Sequence, residues 1–439
     1  MAGKMRDNVL IIGSGGREHS LGQNIGKSRL VEKIFYAPGN AGTTQGKGIN
    51  LCIDGAKREN FPQLIKIVNR ENIRTIIVGP EVPLDWGIVD LFYEKGITNV
   101  LGPSRKGARL ESDKFYSSDL MKKLNIPQAD NYKAYNKVEI IDALNLMKKE
   151  NRTGVVLKAA GLHAGKGVRV YNHIQDALND VNDFTGNFGE RVLISERLFG
   201  QEFSVFGISN GKKVYPIPIS FQDHKPLLDG DLGPNTGGMG AYGPAPVADV
   251  KMVKYVADNM MTPIIQKMAK DGNPYVGFMY AGMMITEQGP KVIEYNVRLG
   301  DPETQPLTMM LHGNLYVPIR DALRGKPIEH IDIRGGAACC VVMASEGYPG
   351  NYSDQKGKII NGLNDIEQSN DLQIFHAGTK INGSDILING GRVLGITAYS
   401  SDGIEVAQRE AYEIADFINE KNLGMFHYRK DIAMKAINR

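Results

Sequence analysis

The first hundred residues alternate between short apolar runs and amphipathic stretches, and this alternation restricts the fold more than any other feature. NVLIIG (8–13), KIFYA (33–37), TIIVGP (75–80) and NVLGPS (99–104) read as buried strands. HSLGQNIGKS, ENFPQLIKIVNREN and PLDWGIVDLFYEKG between them read as helices. Strand and helix in strict alternation predict a parallel sheet with helices on both faces. The strands run out into GSGGREH, APGNAG, GPEVP and GPS, so Gly and Pro gather at the carboxyl edge, where open α/β sheets bind ligands.

From about residue 110 the pattern changes to α+β. Helical stretches (SDKFYSSDLMKKL, VEIIDALNLMKKEN) are interleaved with hairpin-like pairs. GVVLKAA and GVRVY flank a glycine loop, VLISERLFGQEFSVFGIS reads as a second pair, and FMYAGMMITEQGPKVIEYNVR turns at 287–290. A boundary is placed in ALRGKPIEHIDIRGG. Beyond it, AACCVVMA, LQIFHAGT and RVLGITAYS are strands, closed by one long helix. The predicted domains are 1–109, 110–330 and 331–439, the last small and β-rich.

Fifty-one glycines among 439 residues exceed the roughly 7% average, and they cluster in short runs rather than in a repeat. A net charge of +3 gives no case for a nucleic-acid partner. Cys52, Cys339 and Cys340 have no metal-ligand spacing and fit a reducing compartment. No apolar run approaches the ~18 residues of a membrane helix, and MAGKMRDNVLIIG lacks a signal-peptide pattern, so the expected location is the cytoplasm.

Four stretches carry chemistry. GSGGREH fails the dinucleotide fingerprint: Glu18 stands at the third glycine, and the second strand ends in Ala37-Pro38-Gly39 rather than in an acid. Backbone N–H groups at a helix start beside Arg17 suit a sugar phosphate, with a ligand-free tight turn as the alternative. KAAGLHAGKGV (158–168) is not a P-loop, because Ala160 and Gly167 stand where Gly and Ser/Thr are required. It reads as a flexible hairpin tip with Lys158 at its base and Lys166 in the loop, able to close over a triphosphate. A solvated hairpin is the alternative, and His163 has no identifiable partner. In ISERLFGQE (194–202), Leu198 and Phe199 can clamp a base while Glu196 and Glu202 accept hydrogen bonds from a nucleoside.

KVIEYNVRLGDPETQP (291–306) carries the strongest signal. Strand alternation places Ile293, Tyr295, Val297 and Leu299 on one face, and Glu294, Asn296 and Arg298 on the other. Glu294 and Arg298 are about 13 Å apart, too far to pair easily. Glu294 and Asn296, about 6.7 Å apart, can converge on a small cation. Mg²⁺ takes oxygen ligands, usually one or two from protein together with phosphates and water. Arg298 is then free to fork onto a carboxylate or phosphate. The long loop 220–246, with Asp223, His224 and Lys225 before its Gly-Gly-Met-Gly core, reads as a folded ligand-binding loop.

With GGREH, APGNAGT, VGPEVPL, GLHAGKGV, QDHK, GPNTGGMGAYGPAP and IEYNVRLGDPETQ in this order, nearly the whole chain resembles the glycinamide ribonucleotide synthetases, which are ATP-grasp carboxylate–amine ligases. The resemblance implies an N-terminal Rossmann-like domain, a central ATP-grasp domain with a mobile lid at about 125–195, and a C-terminal domain. It implies ligation of glycine to 5-phosphoribosylamine with ATP and Mg²⁺ or Mn²⁺, in purine biosynthesis, by a monomer without nucleic-acid or membrane partners. Phosphoribosylamine would meet Gly16, Arg17, Glu18, Asn40, Pro80 and Glu81. ATP would meet Lys114, Lys158, Gly161, Gly165, Lys166, Gly167, Glu196, Leu198 and Glu202. Glu294 and Asn296 would hold the metal. Arg298, Asp223 and Lys225 would act at the reacting centre, lined by Gly237, Gly238, Gly240, Asp301 and Glu303. The chain departs from the resemblance at Ala160 and His163, where Asp and Ala are frequent, and at Ser195. Tyr280-Ala281-Gly282-Met283-Met284 supplies no metal carboxylate on the preceding strand. Another ATP-grasp ligase and a nicotinamide-dependent oxidoreductase are the alternatives.

Overall fold

A computed structural model describes residues 6–163, 166–329 and 331–438. Its N-terminal sheet contains β1 (Asp7–Gly13), β2 (Val31–Pro38), β3 (Gly48–Asn50), β4 (Ile73–Val78) and β5 (Val100–Leu101), in the order β3-β2-β1-β4-β5. All pairings are parallel. Strand β1 explains why its sequence is a continuous apolar run: Leu10 and Ile12 enter one core, Val9 and Ile11 another, and all four are fully buried. The short edge strand β3 was not expected, since GIN carries no apolar run.

A second body contains β6 (Asn131–Ala134), β7 (Val155–Ala159), β8 (Val168–Tyr171) and β9 (Val192–Glu196), in the order β6-β9-β7-β8. The helices Lys137–Lys149 and Ile174–Phe188 pack on it, and Ile140, Leu144, Leu157 and Phe184 give it a core of its own.

The largest sheet begins with β10 (Gln201–Asn210) and β11 (Val214–Asp223). A small ribbon of β12 (Pro226–Leu228) and β13 (Leu232–Asn235) interrupts it before β14 (Gly240–Gly243). Then come β15 (Val276–Thr286), β16 (Gly289–Asn296), β17 (Ala337–Ser345) and β18 (Leu372–His376). The strands β19 (Thr379–Asn382) and β20 (Asp385–Ile388) pair with each other, and β21 (Arg392–Ser400) and β22 (Phe426–His427) complete the set. The order is β16-β15-β10-β11-β14-β17-β21-β18, with β22 beside β17. The sheet is therefore continuous from the central segment into the C-terminal one.

Two strand expectations are corrected. VLISERLFGQEFSVFGIS is not a hairpin, because β9 and β10 lie in different sheets. Gly200 makes the crossing (φ +152°), where a Cβ would stand 1.8 Å from the Ile285 carbonyl oxygen. Ile293 is not on the core face. The register between β15 and β16 shifts between Gly282 and Met283, so Val292 takes the buried place beside Tyr295 and Val297. This irregularity leaves the Ile293 carbonyl to accept a hydrogen bond from Lys158 Nζ at 3.2 Å.

Candidate active site

The three bodies enclose a cavity of about 1760 Å³. Its wall includes Arg17, Glu18, Pro80 and Glu81 from the N-terminal sheet, and Lys158, Gly161, Lys166, Gly167 and Glu196 from the second body. Lys114, Leu198, Glu202, Asp223, Lys225, Gly237, Glu294, Asn296, Arg298, Asp301 and Glu303 complete the set of predicted residues on that wall. Gly16, Asn40, Gly238 and Gly240 lie behind it, and Gly165 falls outside the described residues.

Strand β16 delivers Glu294 and Asn296 side by side, with Asn296 Nδ2 donating to Glu294 Oε1 at 3.2 Å. Lys114 opens the helix Lys114–Lys123, capped by Asp113, and its Nζ lies 3.6 Å from Glu294 Oε2. Burial alone would raise the Glu294 pKa. Lys114, Lys225, Asn296 and Lys158 outweigh it and hold the carboxyl at about 2. Burial pushes Lys158 down to about 8, with Glu294 opposing. An ionised carboxylate beside a side-chain amide, faced by two lysines, can share a divalent cation with a polyphosphate once the amide turns its oxygen, now towards Arg298, to the ion. Among the described residues no group of three or more His, Cys, Asp or Glu forms a metal cage. Mg²⁺ needs no such cage when phosphate oxygens and water fill its shell, so the donor set fits a nucleotide-bound cation.

Arg298 is not a free fork. Its Nη2 donates to Glu111 Oε1 at 2.9 Å, and its Nε lies 3.4 Å from Glu81 Oε2. Glu111 Oε2 also accepts from the Val297 backbone N–H at 2.7 Å. Burial raises the Glu111 pKa despite Arg298, whereas Arg298 and Arg17 overcome burial at Glu81 and lower it. Sequence reasoning missed Glu111: it is one acid on a short helix, Arg105–Ser112, with no local pattern to mark it.

Asp223, at the end of β11, is half-buried, and its buried Oδ1 lacks a hydrogen-bond partner. Burial and the nearby Glu303 carboxylate raise its pKa well above the usual range. Glu303 Oε1 accepts from Ser204 Oγ at 3.2 Å, and the same hydroxyl meets Tyr280 Oη at 3.0 Å. Lys225 Nζ lies 3.0 Å from Glu202 Oε2, which engages one oxygen of this half-exposed glutamate. Gly238 lies against Asp223; a Cβ there would be 2.8 Å from Asp223 Oδ1 and 2.5 Å from Pro302 Cδ.

At the other end, Glu18 Oε2 accepts from the Gly15 N–H at 2.7 Å, as a third-position helix residue reaching back to its cap. Its carboxyl carbon would lie 2.7 Å from a Cβ on either Gly13 or Gly79. Glu18 thus fills the space that a dinucleotide fingerprint leaves open, against the oxidoreductase alternative. Arg17 Nε donates to Glu18 Oε1 at 2.6 Å and its Nη1 to the Leu299 carbonyl at 3.1 Å. Asn40 serves the loops: its Nδ2 donates to the Ser14 and His376 carbonyls, and its Oδ1 accepts from the Gly42 N–H.

The second body contributes three further contacts. Arg152 Nη1 donates to Glu196 Oε2 at 2.6 Å. Lys166 Nζ reaches across the cavity to the Pro349 carbonyl at 2.9 Å. His163 does have a partner: its ring meets Phe188 edge-on at 5.4 Å. Arg392, also missed, donates through Nη1 to the carbonyls of Gly237 at 2.5 Å and Asp301 at 2.6 Å. Its Nη2 lies 3.5 Å from Asp301 Oδ2, so it fastens the glycine loop to the turn after β16. Only the fold brings a residue at position 392 to that turn.

Comparison with known proteins agrees with this geometry. Residues 7–111, 112–304 and 338–435 match the phosphoribosylglycinamide synthetase N domain, ATP-grasp (A) domain and C domain. The phosphoribosylamine–glycine ligase of Vibrio vulnificus (strain YJ016) is 42% identical over 443 residues, covering 98% of this chain and 99% of that protein. The trifunctional purine biosynthetic protein adenosine-3 of Gallus gallus is 40% identical, over 99% of this chain and 42% of that protein. The crystal structure of phosphoribosylamine–glycine ligase from Thermotoga maritima aligns with a TM-score of 0.78 at 32% identity, covering 97% and 99% of the two chains. A Campylobacter jejuni biotin carboxylase structure, 15% identical with a TM-score of 0.70 over 93% of this chain and 91% of that one, shares the fold.

Proposed function

The chain belongs to the phosphoribosylglycinamide synthetase family, and from that premise we propose that it joins glycine to 5-phosphoribosylamine, converting ATP to ADP and phosphate, in purine biosynthesis. The observation that carries the reading is that residues from all three matched segments converge on one cavity.

The glycine carboxylate is a poor electrophile because its charge is delocalised over two oxygens. Transfer of the ATP γ-phosphoryl group to it gives glycyl phosphate and ADP. The amine of phosphoribosylamine then attacks the acyl carbon and expels phosphate. No covalent protein nucleophile is needed; the protein positions the reactants and neutralises charge. Lys114 and Lys158 face the phosphates, and Glu196 and Leu198 border the nucleoside. Glu294 and Asn296 would hold Mg²⁺ or Mn²⁺, which supplies charge neutralisation at the phosphate oxygens when bound. Arg298, aligned by Glu111, Glu81 and the Leu299 carbonyl, lines the cavity as the cation that would orient the glycine carboxylate. Burial and Glu303 push the Asp223 pKa up, which lessens its repulsion of that carboxylate. Gly15, Arg17 and Asp301 border the phosphoribosylamine end. The enzyme acts as a cytoplasmic monomer on small molecules. No described helix is long and apolar enough to cross a membrane.

The test is ADP formation with glycine and freshly prepared phosphoribosylamine, each omitted in turn. Dependence on both supports the reading. ADP release stimulated by a different acid or amine assigns the chain to another ATP-grasp reaction.

A further inference from the structure

A fully buried cation lies outside the site. Arg429 has no exposed side-chain surface, on a tail that follows the helix Ile404–Lys421. Its Nε and Nη2 fork onto Asp431 Oδ1 and Oδ2, both at 2.7 Å. Its Nη1 donates to Asp231 Oδ1 at 3.0 Å and to the Pro226 carbonyl at 3.1 Å. Both of those partners belong to the β12–β13 ribbon, about two hundred residues earlier in the chain, and both border the active-site cavity. Further bonds run the same way. Asp431 Oδ2 accepts from the Gly230 N–H at 2.8 Å, and Asp229 Oδ1 accepts from the Lys430 N–H at 2.8 Å. Lys435 Nζ lies 2.5 Å from Asp231 Oδ2.

The tail also reaches the strand that carries Asp223. The N–H of Ala433 donates to His224 Nε2 at 3.2 Å. Ala433 holds a left-handed conformation (φ +69°), which a non-glycine residue keeps only where its surroundings over-determine it. The His224 backbone in turn holds the far end of the glycine loop: its N–H donates to the Gly240 carbonyl at 2.9 Å, and its carbonyl accepts from the Met239 N–H at 2.8 Å. Ile432 closes the stack, since a Cβ on Gly240 would stand 2.7 Å from its Cδ1. The tail itself is tied to the long helix, with Tyr412 Oη donating to the Arg429 carbonyl at 2.9 Å.

We propose that the C-terminal tail is a clamp on the catalytic wall, and that Arg429 is a positioning residue for Asp223 and the Gly237–Gly240 loop. Burying a guanidinium is unfavourable unless it is paired and fully hydrogen-bonded, and Arg429 meets that condition only while the ribbon is seated. The clamp holds the acid and glycine-loop side of the cavity. The nucleotide side, with Lys114, Lys158 and Glu196, stands on other elements.

The kinetic part of this proposal rests on the ligase reading; the structural part is tested separately. In the full-length chain, Arg429→Met should speed amide hydrogen exchange over residues 224–240 at least tenfold. It should lower kcat at least tenfold, leave KM for ATP within twofold, and keep the far-UV circular dichroism unchanged. Arg429→Lys, which keeps the charge but loses the fork, should fall between. A folded Arg429→Met protein with wild-type exchange and kcat within twofold overturns the proposal. Should Arg429→Met not fold, Asp231→Asn carries the test, because it leaves the Asp431 fork in place. There exchange over 224–240 should rise and kcat fall three- to tenfold, and wild-type values of both overturn the clamp. If the wild type turns over no glycine or phosphoribosylamine, the ligase reading fails, and the exchange measurement still decides the clamp.

Discussion

Gly238→Ala tests whether the glycine loop is seated on the reacting centre. Gly238 has φ +107°, and a Cβ there would stand 2.5 Å from Pro302 Cδ and 2.8 Å from Asp223 Oδ1. Holding alanine in that backbone conformation costs about 1–3 kcal/mol. Relieving the overlap, in a site closed by a proline ring on one side and a buried carboxyl oxygen on the other, costs roughly another 1–3 kcal/mol. The loop and Asp223 must separate for the methyl to fit. If only about 2 kcal/mol of the total falls on the reacting geometry, kcat drops ~30-fold, since each 1.36 kcal/mol is a factor of ten. The assay is ADP release with both substrates saturating, alongside thermal unfolding. Gly272→Ala is the control: its φ is +75°, nothing lies within 4 Å of a Cβ there, and it carries the strain without the overlap. It should lose about 1 kcal/mol of stability and keep its turnover. A Gly238→Ala enzyme with kcat within threefold of wild type would refute the placement of the loop against Asp223.

Glu294→Gln should raise the magnesium or manganese concentration needed for half-maximal activity at least tenfold; an unchanged metal titration moves the cation site elsewhere. Glu111→Gln leaves the partly buried Arg298 with only Glu81, at 3.4 Å, as a charged partner within salt-bridge distance. Removing one member of a fully buried pair costs ~3–5 kcal/mol; solvent at Arg298 and the remaining acid put the expected loss below that, at roughly 1–3 kcal/mol, read from urea unfolding. An unchanged unfolding midpoint would remove Glu111 as the anchor. His19 and His376 are buried, with pKa values lowered to about 3 and about 4 from 6.5, in both cases chiefly by burial. The unfolded chain therefore takes up their protons first, and stability is lost as the pH falls from 6.5 towards those values. The slope is about 1.4 kcal/mol per pH unit for each histidine. Urea unfolding at stepped pH should show this, and His376→Gln should reduce the slope; an equal slope in that variant refutes the assignment.

The parallel sheet was legible because β1, β2 and β4 are buried on both faces, and an apolar run bounded by glycine has few other uses. The pairing of Glu294 with Asn296 was legible because strand alternation alone brings the two side chains to one side. The bulge at Ile293 was not, since one extra residue in a strand leaves no compositional trace. Nor was the crossing at Gly200: ISERLFGQE looks the same whether its two strands pair or part. Glu111 and Arg392 are single charged residues whose meaning lies in what the fold sets beside them, 187 residues away for Glu111 and Arg298 and 91 for Arg392 and the Asp301 carbonyl.

The sheet that runs unbroken through β14 and β17 bears on how the gene can be divided. Expressing the chain as two pieces, severed near residue 331, would unzip the ladder that joins Gly240–Gly243 to Ala338–Val341. The downstream piece would then offer solvent the bare flank of AACCVVMAS, nine residues that are all buried in the intact protein. An uncharged, β-prone margin of that kind recruits other strands indiscriminately, so the severed half is expected to precipitate unless its upstream complement is supplied during folding.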